Sequence, residues 1–409
     1  MRKHILFCTL FAAALSLQGQ NVWIHRGQTV VTLTAEQAGE MTYSNNGTTL
    51  SIAGTTYDVS QIDSITIEET CVAENTVQVE YADARTRVLM PAALQPFVTS
   101  TLDGAHVSLV SSVTGGDEIT YILSGNASDG SFTMDGEYKC GVQLNGLTLT
   151  SQRGAAIDIQ NGKRIDIRLT EGTVNTLSDF AGGSQKACFF VNGHPEIKGG
   201  GTLILYGNAK HAFASDEYTQ LKHSTGTIEV RKAVSDGFHC KQYFLMEGGN
   251  LSISGTDGDG IQAEITKDAT DEQNGQLHIA GGSIRIDVTG TDVKGIRSDS
   301  LMTITGGNIV LNVSGDGAKG ISSDTDLYLN EDNNPLTINI QTNGNIYVNP
   351  NDPLDDSKCM GIRTKKDLHI SAGRITVTCS GEKNKTIKVS GMYYGPGNAL
   401  LQLSSPIDY

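Results

Sequence analysis

The sequence predicts an all-β fold: a right-handed parallel β-helix of about nine coils with three strands per coil, carrying an N-terminal β cap and a small N-terminal β module. Three observations carry that expectation. Glycine is in excess, at 47 of 409 residues, about 11% against the roughly 7% of average proteins, without the triplet period of a collagen. A glycine corner followed by alternating apolar residues recurs as GGTLILY at Gly200, TGTIEVR at Thr225, GGNLSIS at Gly248, GGSIRID at Gly281, GGNIVLN at Gly306 and AGRITVT at Ala372. The copies also align in columns. Leu203, Ile228, Leu251, Ile284, Ile309 and Ile375 fill one, and Leu205, Val230, Ile253, Ile286, Leu311 and Val377 the next. The intervening column, Ile204, Glu229, Ser252, Arg285, Val310 and Thr376, is mixed, as the outer side of a strand with period two should be.

Each coil takes two further strands. One follows the glycine strand (SDGFHCK at Ser235, GDGIQAE at Gly258, VKGIRSD at Val293, AKGISSD at Ala318, CMGIRTK at Cys359), and one precedes it (YFLMEGG, QLHIAGG, LMTITGG, DLHISAG). The interval from Gly307 to Gly373 is long enough for two units, and LTINI stands where the extra copy belongs. Glycine serves the corners, where positive φ is needed.

In chain order, residues 1–20 read as a secretory signal peptide: Arg2 and Lys3 are followed by an apolar run too short to cross a bilayer, then by Leu17-Gln18-Gly19 as a cleavage site. The chain is therefore expected to be secreted, at the cell surface or in the periplasm, without membrane insertion. Residues 21–70 form a small β module, 72–135 a β-rich cap or start of the solenoid, 136–390 the β-helix, and 391–409 a C-terminal cap.

The net charge is −15, and about −17 once Arg2 and Lys3 leave with the leader; such a surface repels nucleic acid and attracts cations. Calcium thereby becomes a candidate cofactor. Six cysteines remain (Cys71, Cys140, Cys188, Cys240, Cys359, Cys379), without zinc spacing, and read as buried small side chains. No Ser-His-Asp spacing, P-loop or HExxH motif is present, and the dispersed His239, His278 and His369 read as surface residues. The oligomeric state is not encoded in any feature of the sequence.

The run GSFTMDGEYKCGVQLNGLTLTSQRGAAIDIQNGKRIDIRLTEGTVNTLSD, with GHPEIKGGGTLILYG, AVSDGFHCKQYFLMEGGNLSISG and DGDGIQAE, resembles the secreted carbohydrate-binding β-helix family of anaerobic bacteria. The resemblance covers roughly residues 77–390. It implies a polysaccharide-lyase-like fold, a polysaccharide partner of plant-cell-wall type, acidic glycans included, and an association with calcium. Lys294 and Lys319 depart from the pattern, standing where other copies carry Asp before the turn glycine.

The turns preceding the SDGI-type strands are acidic in consecutive coils: Asp236, then Asp257 and Asp259, then Asp292, then Asp316. Stacking brings equivalent turns to about 5 Å of one another, and a hard cation with oxygen ligands would relieve the repulsion. Lys294 and Lys319, joined by Arg297 and Arg363 on the adjacent strand, suit uronate carboxylates. An insertion, Gln341 to Lys358, adds Tyr347, Asp352, Asp355 and Asp356 on a projecting loop. A second acidic loop spans Thr266 to Asn274, and Tyr243, Tyr347, Tyr393 and Tyr394 offer ring faces to sugars. Non-catalytic glycan binding is the expected function. A calcium-dependent lyase, which would abstract a C5 proton from uronates, and a structural adhesin are the alternatives.

Overall fold

The computed structural model describes residues 20–409 except Glu40, Glu331 and Asn333, and of Pro353 and Asp355 the backbone alone. The expected leader lies, but for Gln20, outside the described residues. None of the described helices is long and apolar enough to cross a membrane.

The chain winds into a parallel β-helix with three faces. The SDGI-type strands form the first face, from Ala105–Ser111 to Lys385–Val389; the second runs from Arg164–Leu169 to Tyr393–Tyr394; the third, of glycine-led strands, runs from Val174–Ser178 to Leu400–Leu403. The two aliphatic columns stack in register. Leu203 pairs through Ile228, Leu251, Ile284 and Ile309 to Ile338 and Ile375, while Leu205 leads through Val230, Ile253, Ile286 and Leu311 to Ile340 and Val377. Leu336–Asn343 is thus the copy anticipated between Gly307 and Gly373. Every member of both columns is at most 1% exposed, so burial of aliphatic side chains, worth roughly 1.5–3 kcal/mol each, repeats at every rung. The corner glycines are required sterically: at Gly307 φ is +104° and a Cβ would lie 2.9 Å from the carbonyl oxygen of Gly282.

The solenoid is longer than about nine coils. The first face has twelve strands, parallel except where Val98–Asp103 meets Ala105–Ser111. Stacking already begins at Thr76–Ala82, which pairs in parallel with Thr120–Ala127, itself parallel to Cys140–Thr150. These rungs lack the Gly-Gly corner that marks later copies. The Thr120–Ala127 strand instead passes its corner through an irregularity at Ser124/Gly125, where Gly125 has φ +87° and a Cβ would meet the Tyr81 carbonyl at 2.2 Å.

Both ends are covered. Asn21–Arg26, Thr29–Leu33 and Ser64–Glu68 form a small sheet that continues through Arg87–Pro91 into the first rung, over a core of Ile24, Val31, Leu33, Leu50, Ile52, Tyr57 and Ala92. At the far end the tail pairs with Lys385–Val389, Val389 donating to the Asp408 carbonyl at 2.9 Å and Asp408 to that of Ile387 at 2.9 Å. Two otherwise exposed strand edges are thereby masked.

Because the columns are close-packed, Leu311→Ala should cost about 2–5 kcal/mol, whereas Asn308→Ala, at an exposed position of the same strand, should stay within about 0.5 kcal/mol. Denaturant unfolding of the two variants measures the contrast.

Candidate functional site

The first face carries its polar chemistry outside. In one outward column Lys294, Lys319, Met360 and Lys385 pair directly; Asp259, Asp236 and His211 continue it, each two residues before the paired Ile261, Phe238 and Phe213. A second column runs His239, Gln262, Arg297, Ser322, Arg363, Lys388. The first changes from imidazole and acid to strongly basic as the chain proceeds, and the second from imidazole and amide to basic.

At the basic end lies a cleft of about 440 Å³. Lys294, Arg297, Lys319, Lys358, Arg363, Lys365, Lys385 and Lys388 line it with Tyr347, against the acids Asp292, Asp324 and Asp356. All five residues expected to bind glycan therefore share one cleft with Asp292. The insertion forms its wall as an antiparallel hairpin, Tyr347–Asn349 with Asp352–Ser357.

Three residues moor that hairpin. Lys319 donates to Asp292 Oδ1 at 3.0 Å, the Gly317 carbonyl at 2.8 Å and Ser357 Oγ at 2.6 Å, and Ser357 Oγ donates to Asp292 Oδ1 at 2.7 Å. An ammonium has three N–H donors, so Lys319, 5% exposed, has none left for a ligand. Its role is to anchor the wall, a correction to the expectation that it contacts sugar. Burial lowers the Lys319 pKa, with Asp292 pulling the other way. Lys294 is half committed, donating to the Asp292 carbonyl at 2.5 Å and lying 3.3 Å from its carboxylate. Arg297 gives one bond to Asp299 at 3.0 Å, and Arg363 bonds Ser322 at 3.2 Å and Asp324 at 3.3 Å. Each keeps donors of its five-donor fork for a ligand.

The acidic turns do not converge. Asp236 Oδ1 accepts the Asp259 N–H at 2.9 Å, Asp259 Oδ1 the Lys294 N–H at 2.7 Å, and Asp316 Oδ1 the Asn345 N–H at 2.7 Å. The aspartates thus lace one rung to the next, which is why the turns are acidic. Burial, reinforced by the Asp236 carboxylate and opposed by Lys294, pushes Asp259 up to about 6. Asp292 is held by the lysines and Ser357, and Asp257 is exposed on its own rung. Calcium asks for six to eight oxygen ligands around one point, and this donor set does not fit it. The 266–274 loop is closed by its own bonds, Thr266 N–H to Asn274 Oδ1 at 2.8 Å and Asn274 Nδ2 to the Asp268 carbonyl at 2.9 Å.

Other placements differ from expectation. Tyr243 is 8% exposed and stacked on Tyr218 with centroids 4.8 Å apart, so it offers no open face. His239 is stacked on the buried His211, and His369 lies between Tyr328 and Tyr394. Lys385 and Lys388 escaped the sequence reading because KTIKV replaces the turn glycine with Thr386. Ile387, which continues the Ile362 column, was the available signal.

The family described as Carbohydrate-binding domain-containing protein matches residues 109–393, and the chain belongs to that family. A curated relative of the same description from Acetivibrio thermocellus is 27% identical over 121 residues, which is 27% of this chain and 42% of that protein. The chain therefore spans less than half the length of the curated relative it matches. A solved structure, the polysaccharide lyase-like protein from C. thermocellum in a gadolinium derivative, aligns over 80% of this chain and 100% of that one, at 17% identity and a TM-score of 0.47.

Although burial opposes its ionisation, Ser357, Lys319 and Lys294 hold the Asp292 carboxyl below its usual range. A carboxyl whose pKa is lowered on folding stabilises the fold above its unfolded value of about 3.9, and loses that contribution as pH falls through the native value. The hairpin amides should therefore exchange hydrogen faster at pH 3 than intrinsic exchange rates account for, and Lys319→Ala should loosen them at neutral pH, at a local cost of about 1–3 kcal/mol.

Proposed function

We propose that this chain is a non-catalytic polysaccharide-binding protein whose basic cleft takes an acidic glycan. Uronate carboxylates pair with Arg297 and Arg363, Lys358 adds charge from the hairpin side, and Tyr347 lies against a sugar face. One observation supports this most strongly: eight cations and three acids surround a single cleft in a chain whose net charge is −15. Segregation of that kind attracts an anion despite the repulsive field of the whole molecule.

Binding is favoured over β-elimination by the state of the candidate base. A lyase needs an unprotonated group facing the C5 proton. Lys319 is the cation lining the cleft whose pKa burial lowers, yet its three donors are held by Asp292, Gly317 and Ser357. No step in this reading passes through calcium.

Affinity electrophoresis through polygalacturonate and through a neutral glucan tests the reading. Retardation by the acidic polymer that disappears at high salt and survives chelator is the expected result. The double variant Arg297→Ala/Arg363→Ala should weaken binding roughly 10- to 100-fold. Equal retardation by both polymers, unchanged in the double variant, contradicts the reading. Release of ultraviolet-absorbing unsaturated product would turn the assignment to a lyase.

A further inference from the structure

Two rungs before the basic cleft, the same outward columns bring together side chains that glycan binding does not use. His211 opens the strand His211–Ser215, Asp236 stands in the turn of the next rung, and His239 lies on the strand Phe238–Lys241. One ligand atom from each lies within 4.8 Å of the other two, the only such group of three among the described residues. We infer that His211, Asp236 and His239 form a binding site for a divalent transition metal of the Zn²⁺ class.

The spacing suits such an ion. Asp236 Oδ2 lies 2.8 Å from His239 Nδ1 and 3.3 Å from His211 Nδ1. Ligands bonded at about 2.0–2.2 Å and subtending roughly 90–110° at a metal stand about 3.0–3.5 Å apart, so the His211–Asp236 pair is at that spacing and the Asp236–His239 hydrogen bond opens by a few tenths of an ångström when the metal enters. Two imidazole nitrogens and one carboxylate oxygen select a borderline metal over calcium.

The tautomer of His211 also suits a ligand. The backbone N–H of Asp236 points at His211 Nδ1 from 3.2 Å, which assigns that nitrogen as the bare acceptor of a neutral ring. The same nitrogen stands 3.3 Å from Asp236 Oδ2, so a metal bridging the two takes the place of that backbone N–H at the lone pair.

The supporting contacts are in place. Asp236 Oδ1 is fixed by the Asp259 N–H at 2.9 Å, and His239 Nε2 lies 3.2 Å from Glu264 Oε2, the carboxylate–imidazole pairing that orients metal-bound histidines. The His211, Asp236 and His239 side chains are 4%, 9% and 17% exposed, so entry is from the His239 side. The two rings lie 4.3 Å apart and 20° from parallel. Since a metal must sit in the plane of each ring it binds, binding turns the outer imidazole of His239 about χ2.

Calorimetric titration of the full chain with Zn²⁺, in chelator-free buffer and without glycan, tests the site. One tight site per chain is expected, weakened roughly 100-fold or more by His239→Ala and unchanged by His223→Ala, whose ring is 76% exposed. Co²⁺ substitution should give a d–d absorption band that His239→Ala abolishes. His239 is the outermost of the three side chains, and a melting profile of the metal-free variant matching that of wild type excludes misfolding. No zinc binding by wild type, or binding unaffected by His239→Ala, overturns the proposal.

Discussion

In-register parallel stacking is the constraint on which the rest of this structure depends. Each rung places equivalent residues about 4.8 Å apart along the rod. Inside, this rewards columns of identical aliphatics, and Leu203 through Val377 satisfy it with side chains almost wholly withdrawn from water. Outside, the same spacing penalises columns of identical charges. The outward column His211, Asp236, Asp259, Lys294, Lys319, Met360, Lys385 resolves the penalty by changing sign midway. Its acids bond to backbone N–H groups of the next rung, Lys294 and Lys319 draw on Asp292, and Lys385 draws on Asp408.

That change of sign generates the functional surface. Where the column becomes basic, the neighbouring column supplies Arg297, Arg363 and Lys388, and the hairpin closes the far side. The hairpin is held by the same chemistry that neutralises the column, through Lys319, Asp292 and Ser357. Where the column is acidic, two imidazoles flank Asp236 instead of lysines. The cleft and the imidazole–carboxylate cluster are two outcomes of one stacking rule, separated by the rungs over which the charge reverses.

Much of the fold was legible because a solenoid writes its register into the sequence. The glycine-led strands and the Ile261–Ile296–Ile321–Ile362 column align as the backbone pairs them. The rungs at Thr76–Ala82 and Thr120–Ala127 were legible only as a cap or start of the solenoid, because they lack the double glycine at their corners. Lys294, Lys319, Arg297 and Arg363 were legible as neighbours, since in-register columns give proximity directly, and Tyr347 was legible because its insertion emerges at the same turn. The state of each side chain was not: nothing in AKGISSD says that Lys319 has all its donors occupied, because Ser357 arrives from a hairpin 38 residues on. Nor does repulsion between stacked acids distinguish a shared cation from backbone N–H groups, and here the N–H groups take the oxygens. His211 was missed because it belongs to HAFAS, a strand without the SDG signature, and shows its kinship to Asp236 only through the pairing of Phe213 with Phe238.

The central claim is that charge reversal along a stacked column builds an anion-binding cleft on an acidic rod. A crystal structure with a short oligogalacturonide bound is the most direct measurement. The account predicts sugar carboxylates paired with the guanidinium groups of Arg297 and Arg363, under the Tyr347 hairpin. An oligosaccharide seated elsewhere on the rod, with both arginines still paired only to the protein's own Asp259, Asp299, Asp324 and Ser322, would contradict it.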